Sequence, residues 1–204
     1  MKEKNPIEES LRAGAGGGNA AAAAKRFALR AEDEGLVDVA YATLDTPVGE
    51  LVLATTRNGL VRLALSGEEV DKVLAELAKD VSPRILELPA RLDGARRELD
   101  EYFAGRRTRF EMSLDWRLVP APFMKKVLKA TARVPYGSTT TYGDVAVEAG
   151  SPRAYRAAGS ALGSNPIPIV VPCHRVLRRG GEIGNYGGGP EMKRFLLELE
   201  GAID

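Results

Sequence analysis

Two hydrophobic periods run along this chain, and the change between them marks its organisation. Val37 to Leu44 and Gly49 to Thr56 are β-rich runs joined by a turn at Asp45-Thr46-Pro47, and both read as strands. Arg57-Asn58-Gly59 is a hairpin turn signal, and Leu60 to Leu65 supplies a third strand. The period then lengthens. Val70, Val73, Leu74 and Leu77 fall at i, i+3, i+4 and i+7, the spacing of an amphipathic helix. Ile85 to Leu88 fits a short strand. Leu92, Ala95, Leu99, Tyr102 and Phe103 form a second helical stripe stopped by Gly105, and Arg109 to Leu114 alternates weakly, as a strand returning to the sheet would. This half reads as a small α+β domain without a catalytic constellation.

From Pro120 the pattern is mostly helical. Met124, Val127, Leu128 and Thr131 line one face of a helix that ends before Pro135-Tyr136-Gly137. A short helix over Tyr142 to Ala149 is closed by Gly150. Ser151-Pro152 is a good start for the next, with Ser as cap and Pro at the first helical position, running to about Leu162 and ending at Gly163. Two short helices joined by a glycine turn suggest helix-turn-helix, a pattern that many small helical cores share. Ile167 to Val171 is an apolar run leading into Pro172-Cys173-His174-Arg175, followed by a glycine-rich stretch from Gly180 to Gly189. The chain closes with Met192, Phe195, Leu196 and Leu199 on one helical face. The expected domains are 37–115 (α+β, a small antiparallel sheet with helices) and 116–204 (mostly helical). Residues 1–36 form an extension or linker: Leu11 to Ala24 is low-complexity, its glycine cluster is expected to be flexible, and its alanines with Lys25 to Leu29 fit a short helix.

Composition narrows the function classes. The net charge over 204 residues is +1, so nothing attracts the whole chain to nucleic acid, yet the part after Trp116 is basic and the part before it offsets the excess. Charge alone points first to a solubilising surface; a local basic face is also what a DNA binder needs. One cysteine excludes an internal disulfide, and one cysteine with one histidine excludes a Cys/His zinc finger. No segment is apolar enough to span a membrane, and Met1 to Ser10 is charged, unlike a secretory signal. A reducing, cytoplasmic setting is expected, which keeps a lone thiol free.

That thiol is the chemistry of the chain. Cys173 stands beside the only histidine, His174. A thiolate is a strong, soft nucleophile once a base or a positive environment removes its proton, and His174 can act through one water. A histidine base needs an orienting partner, and Glu198 and Glu200 are both at hand. The pair reads equally as a buried cysteine acting as a small hydrophobe beside a capping histidine. Pro166, Pro168 and Pro172 stiffen the approach to Cys173, as a positioned nucleophile requires. The helix SPRAYRAAGSALGSN is slim, suited to tight packing or to entering a narrow groove, with Arg156 projecting among small neighbours.

At this point the chain resembles the O6-alkylguanine-DNA alkyltransferases, the methylated-DNA–protein-cysteine methyltransferases. The resemblance is carried by VPYGSTTTYGDVA, SPRAYRAAGSALGSNPIPIVVPCHRV, GNYGGG and LLELEG, and more weakly by TPVGELVLATTRNGLVRL. It implies a ribonuclease H-like N-terminal domain and a winged-helix-like C-terminal one. It further implies that a monomer binds double-stranded DNA and moves the alkyl group of O6-alkylguanine, and of O4-alkylthymine, onto Cys173 in a single turnover, without cofactor or metal. In that resemblance Cys173 is the acceptor, His174 the base acting through a water, Glu200 its orienting carboxylate, Asn165 the hinge beside the cysteine and Tyr142 the tyrosine that binds DNA by pushing the target phosphate and donates a proton to the departing guanine. Arg156 is the finger that replaces the flipped base, with Ser151, Ala157 and Gly159 on the DNA face. Tyr186, Gly187, Val176, Leu162 and Pro168 shape the pocket, the carbonyls of Cys173 and Val176 accepting the exocyclic amine of the base. Met124 and Leu128 stand where many members have glutamine and tryptophan, and Gly187 where many have serine. Non-catalytic relatives carry tryptophan at the cysteine position, so Cys173 itself points to transfer. Two rival readings remain: a cysteine hydrolase using Cys173 and His174, and a non-enzymatic winged-helix DNA-binding protein.

Overall fold

The computed structural model describes residues 17–204, so the expected flexibility of the glycine cluster falls partly outside the described residues. The alanine tract is helical over a longer span than expected: α1 runs Gly17–Asp33 and buries Ala28 and Ala31 against the core. Alanine is the strongest helix former, so propensity alone favours this extension.

The sheet combines β1 (Val39–Leu44), β2 (Leu51–Thr56), β3 (Gly59–Ala64) and β4 (Ile85–Glu87) in the order β3-β2-β1-β4. The first three strands are antiparallel, as expected; β4 adds in parallel beside β1, which makes the sheet mixed. Its parallel direction follows from the crossover through α2 (Val70–Asp80), since parallel neighbours need a long connection. Gly59 is required at the hairpin. Its φ is 125°, and a Cβ there would lie 2.2 Å from the Ser113 carbonyl oxygen, which accepts the Leu60 N–H at 2.8 Å. The 109–114 segment makes only an isolated bridge, Leu60 to Leu114, rather than the strand its alternation suggested.

Side chains alternate across the sheet with period two. Val39, Val52, Ala54, Val61 and Ala64 face α2, which contributes Val73 and Leu77. Leu51, Leu53, Leu60 and Leu63 face the other way, toward Leu99 and Tyr102 of α3 (Asp93–Phe103) and onward to the C-terminal helices in one continuous core. Each fully buried leucine contributes about 2 kcal/mol. The shared core fixes the two halves against each other.

Three helices, α4 (Pro122–Thr131), α5 (Tyr142–Glu148) and α6 (Tyr155–Gly163), pack together in the C-terminal half. Thr141 caps α5 reciprocally with Asp144. The helix start expected at Ser151-Pro152 is displaced: α6 begins at Tyr155, and Ser151 sits in a turn closed by the Ala154 N–H on the Ser151 carbonyl at 2.9 Å. The Ser151 side chain therefore caps nothing. A two-residue strand β5 (Thr140–Thr141) pairs with β6 (Val176–Leu177), and α7 (Gly189–Leu199) closes the chain. Among the described residues no helix is long and apolar enough to cross a membrane.

Candidate active site

The segment before Cys173 is held in a strained path. Ile169, a β-branched residue, has φ 69°, at the centre of a three-residue turn closed by the Val170 N–H on the Pro168 carbonyl at 2.8 Å. A second such turn follows, from the Cys173 N–H to the Val171 carbonyl at 2.8 Å. Positive φ is costly for a β-branched residue and persists only where the surroundings over-determine it. Here the Asn165 carboxamide does so: its Nδ2 donates to the Val171 carbonyl at 2.9 Å and its Oδ1 accepts the Ile167 N–H at 3.1 Å. The same Nδ2 reaches Cys173 Sγ at 3.2 Å. One side chain thus ties down the strained loop and donates to the sulfur.

Cys173 opens a short 3₁₀ turn, Cys173–Arg175, and is half-buried with a free thiol. Burial pushes the thiol above its ordinary value, while the Asn165 hydrogen bond and the Lys193 ammonium act in the opposite direction. Lys193 is wholly buried and donates to the Val176 carbonyl at 2.6 Å; burial lowers it to about 8.

Behind the cysteine lies a buried charge network. Glu200 Oε1 accepts from His174 Nε2 at 2.8 Å, from Tyr102 Oη at 2.7 Å and from Arg175 Nη2 at 2.9 Å; its Oε2 accepts from Arg175 Nε at 2.7 Å. Burial would raise this carboxyl, but the hydrogen bonds from His174 and Arg175 outweigh it and hold Glu200 at about 2. An ionised Glu200 only accepts, so His174 carries its hydrogen on Nε2 and leaves Nδ1 as the basic nitrogen. That Nδ1 is buried and has no hydrogen-bond partner among the described residues. Burial also keeps the His174 pKa below 6.5, despite the pull of Glu200, so the ring is neutral at pH 7 and able to take a proton. Arg175 also donates to the Val134 carbonyl at 2.6 Å and lies over the Tyr136 ring.

The network joins both halves of the chain, because Tyr102 belongs to α3 and Glu200 follows α7. Glu198, the other carboxylate in reach by sequence, is exposed and points elsewhere. The buried stripe of α7 runs Lys193, Leu196, Leu197 and on to Glu200, whereas Met192, Phe195 and Leu199 are only half-buried. The apolar face read from the sequence does meet the core, Leu196 fully buried and Met192, Phe195 and Leu199 packed against it, but apolar spacing does not pick out the rest of the buried stripe because two of its four positions are charged. Lys193 and Arg175 were missed for the same reason: patterning assigns basic residues to the surface. Their signal is spacing, since Lys193 lies at i and Glu200 at i+7 around the apolar pair.

A cavity of about 520 Å³ opens between α5, α6 and the cysteine, lined by Tyr142, Gly159, Leu162, Cys173, Tyr186 and Gly187 among others. Tyr142 is half-buried, with its ring against Gly159: a Cβ there would lie 3.7 Å from it. Tyr186 stands edge-on to His174, with ring centroids 6.3 Å apart. Pro168 lines a second cavity that also reaches Cys173. Val176 does not belong to either wall. It is fully buried, and its carbonyl, expected to accept from a base, accepts from Lys193 with one of its two lone pairs. On the outer face of α6, Arg156 and Ala157 are exposed, and the Arg156 guanidinium lies 5.7 Å from the centroid of the exposed Tyr155 ring. Among the described residues no cluster of His, Cys, Asp or Glu could hold a metal ion.

Comparisons with known proteins agree over residues 39–202. Residues 39–116 match the ribonuclease-like domain of 6-O-methylguanine DNA methyltransferase, and residues 122–202 match its DNA binding domain. The methylated-DNA–protein-cysteine methyltransferase of Mycobacterium tuberculosis is 41% identical over 160 residues, covering 78% of this chain and 91% of that one. The constitutive enzyme of Bacillus subtilis is 39% identical over 164 residues, covering 78% and 94%. The crystal structure of M. tuberculosis O6-methylguanine methyltransferase superposes with a TM-score of 0.70 at 40% identity, over 80% of this chain and 93% of that one. The same organism's OGT in complex with DNA gives 0.69 at 39% identity, with the same coverage. By family models, sequence and fold alike, this chain belongs to the methylated-DNA–protein-cysteine methyltransferase family.

Proposed function

We propose that the chain repairs alkylated DNA by moving the alkyl group of O6-alkylguanine, and of O4-alkylthymine, onto Cys173. The observation that carries this reading is a single sulfur that lines an open cavity beside the helix-turn-helix, with Asn165 donating to it and a neutral, oriented histidine next in sequence. The adduct is out of reach inside the duplex, so the nucleotide rotates into the cavity at a cost of a few kcal/mol. Arg156 leaves Tyr155 and fills the gap, while Ser151, Ala157 and Gly159 follow the backbone. Contacts of this kind are insensitive to sequence and sensitive to salt.

In the chemical step the Cys173 proton passes by way of a solvent molecule to His174 Nδ1. Glu200 stabilises the imidazolium that results, and the Lys193 charge and the Asn165 N–H stabilise the thiolate. The sulfur attacks the alkyl carbon in line; the C–S bond forms as the C–O6 bond breaks, and the electron pair leaves with guanine. Tyr142, kept as a phenol by burial, donates toward the departing base, and Leu162, Pro168, Tyr186 and the Gly187 backbone hold it. The product is a thioether that none of these groups can hydrolyse, so each molecule acts once. The chain works as a monomer, divided at about residue 116 into a domain that supports the site and one that reads DNA.

The test is intact-mass measurement after mixing with a duplex that carries one O6-methylguanine. The expected result is one added methyl per protein molecule, absent in Cys173→Ser, which still binds DNA. Repeated turnover with no retained methyl would favour a hydrolase instead. Equal repair by Cys173→Ser would favour a purely DNA-binding role.

A further inference from the structure

Cys173 is reachable from two sides. Besides the cavity facing α5 and α6, a second one of about 500 Å³ reaches the sulfur from the N-terminal domain. Leu162, Tyr186 and Gly187 line both, so the two meet at the nucleophile. Pro168 and Leu65 give the second cavity an apolar stretch of wall, beside the Asn165 carboxamide that donates to the sulfur. Leu65 approaches the glycine loop closely: a Cβ on Gly187 would lie 3.5 Å from its Cδ1. Farther out the wall is charged. Arg62 is tied to Glu68 in an ion pair and donates to the Pro166 carbonyl at 3.3 Å. Glu76 and Asp80, on exposed positions of α2, also line the cleft, and neither makes an ion pair among the described residues. With Arg62 paired to Glu68, the lining of the outer cleft carries two carboxylates without an ion-pair partner among the described residues, and Lys72 and Lys79 of the same helix do not line it.

In-line displacement gives this second cavity a use. The reacting carbon lies between the guanine oxygen and the sulfur, so any further substituent on it must project sideways from that axis. A methyl group needs no extra room, whereas a longer group needs a channel that starts at Cys173 and leads away from the base. We propose that the cleft between α2 and the Asn165–Pro168 segment receives the distal part of bulky O6-alkyl adducts and selects among them by charge. It accepts neutral and cationic tails and disfavours carboxylate ones. This rests on the alkyl-transfer reading and names the class of adduct that the same site handles. The reaction is unchanged: the benzylic carbon moves from oxygen to sulfur and the leaving electron pair stays on guanine.

The experiment compares three free bases, O6-benzylguanine and its para-aminomethyl and para-carboxy derivatives, by intact mass over time with the full chain. Rates are normalised to that of O6-benzylguanine. The aminomethyl compound is expected to react about threefold faster than the carboxy compound at low salt, as exposed charges at this range allow. The difference shrinks in 0.5 M sodium chloride, and Glu76→Lys with Asp80→Lys inverts the order. Both substitutions fall on exposed positions, and circular dichroism checks the fold of the double variant. An equal preference in the parent and the double variant, or a carboxylate preference in the parent, overturns charge selection. If O6-benzylguanine fails to react while a methylated duplex does, the cleft admits no bulky group and only this proposal falls. If neither reacts, the transfer reading falls with it.

Discussion

Replacing Glu200 by Gln removes one charge from the centre of the buried network and almost no volume. The carboxylate accepts four hydrogen bonds, at 2.7 to 2.9 Å, from three side chains. A glutamine must choose. With its oxygen in the place of Oε1 it still accepts from Tyr102, His174 and Arg175 Nη2, but its NH₂ then opposes the Arg175 Nε–H. The reverse placement opposes three donors, so the first is adopted, and the Arg175 guanidinium is left buried without a counter-charge. Removing one partner of a buried ion pair costs about 3–5 kcal/mol. For a chain of this size that lowers Tm by roughly 6–20 °C. His174 keeps its tautomer but loses the negative charge that raises its basicity, so transfer slows by about tenfold or more. Calorimetry gives Tm, and single-turnover transfer at 20 °C gives the rate while circular dichroism verifies folding. A Tm within about 2 °C of the parent together with an unchanged rate would refute the reasoning about this network.

Acid should expose the same residues. Glu200 titrates at about 2 when folded against 4.5 ordinarily, so its stabilisation is complete above pH 4.5 and lost as pH falls toward 2. His174 is depressed below 6.5, so protonating it begins to cost stability below that pH. Tm measured against pH should therefore decline below pH 6.5 and steepen below 4.5, and Glu200→Gln should flatten the lower part. Lys193→Met removes a cation that is present below about pH 8 and opposes the rise in the Cys173 pKa; iodoacetamide alkylation at pH 7 should slow, and an unchanged rate counts against the assigned role. Arg156→Ala should weaken repair in duplex DNA more than transfer from free O6-benzylguanine; equal losses count against the finger role.

The sequence carried the strands, the helical stripes and the cysteine with its histidine, because those signals are local. Strand alternation and the Asn58-Gly59 turn follow from neighbours in the chain. The parallel placement of β4 was not legible, since it depends on how α2 packs across the sheet. The start of α6 was misplaced because Ser151 and Pro152 satisfy a helix-start rule while making a separate turn. Residue resemblance brought Asn165, Glu200 and Tyr142 to notice; spacing alone left Glu198 and Glu200 equal, and burial in the structure agrees with the resemblance in separating them. Lys193, Arg175 and Tyr102 escaped because a buried charge or phenol is recognised by its partners, which come from distant segments. The strain at Ile169 likewise appears only once Asn165 is seen to hold the loop.

The central claim is that the sulfur of residue 173 takes the alkyl carbon from DNA. It is tested most directly by a duplex whose O6-methylguanine carries a ¹³C-labelled methyl group. After one incubation, the account predicts a single new S-methyl carbon resonance in the folded protein and labelled S-methylcysteine in the peptide containing Cys173, in yield equal to the protein added. A label found in free methanol, on another residue, or still on the DNA would contradict it.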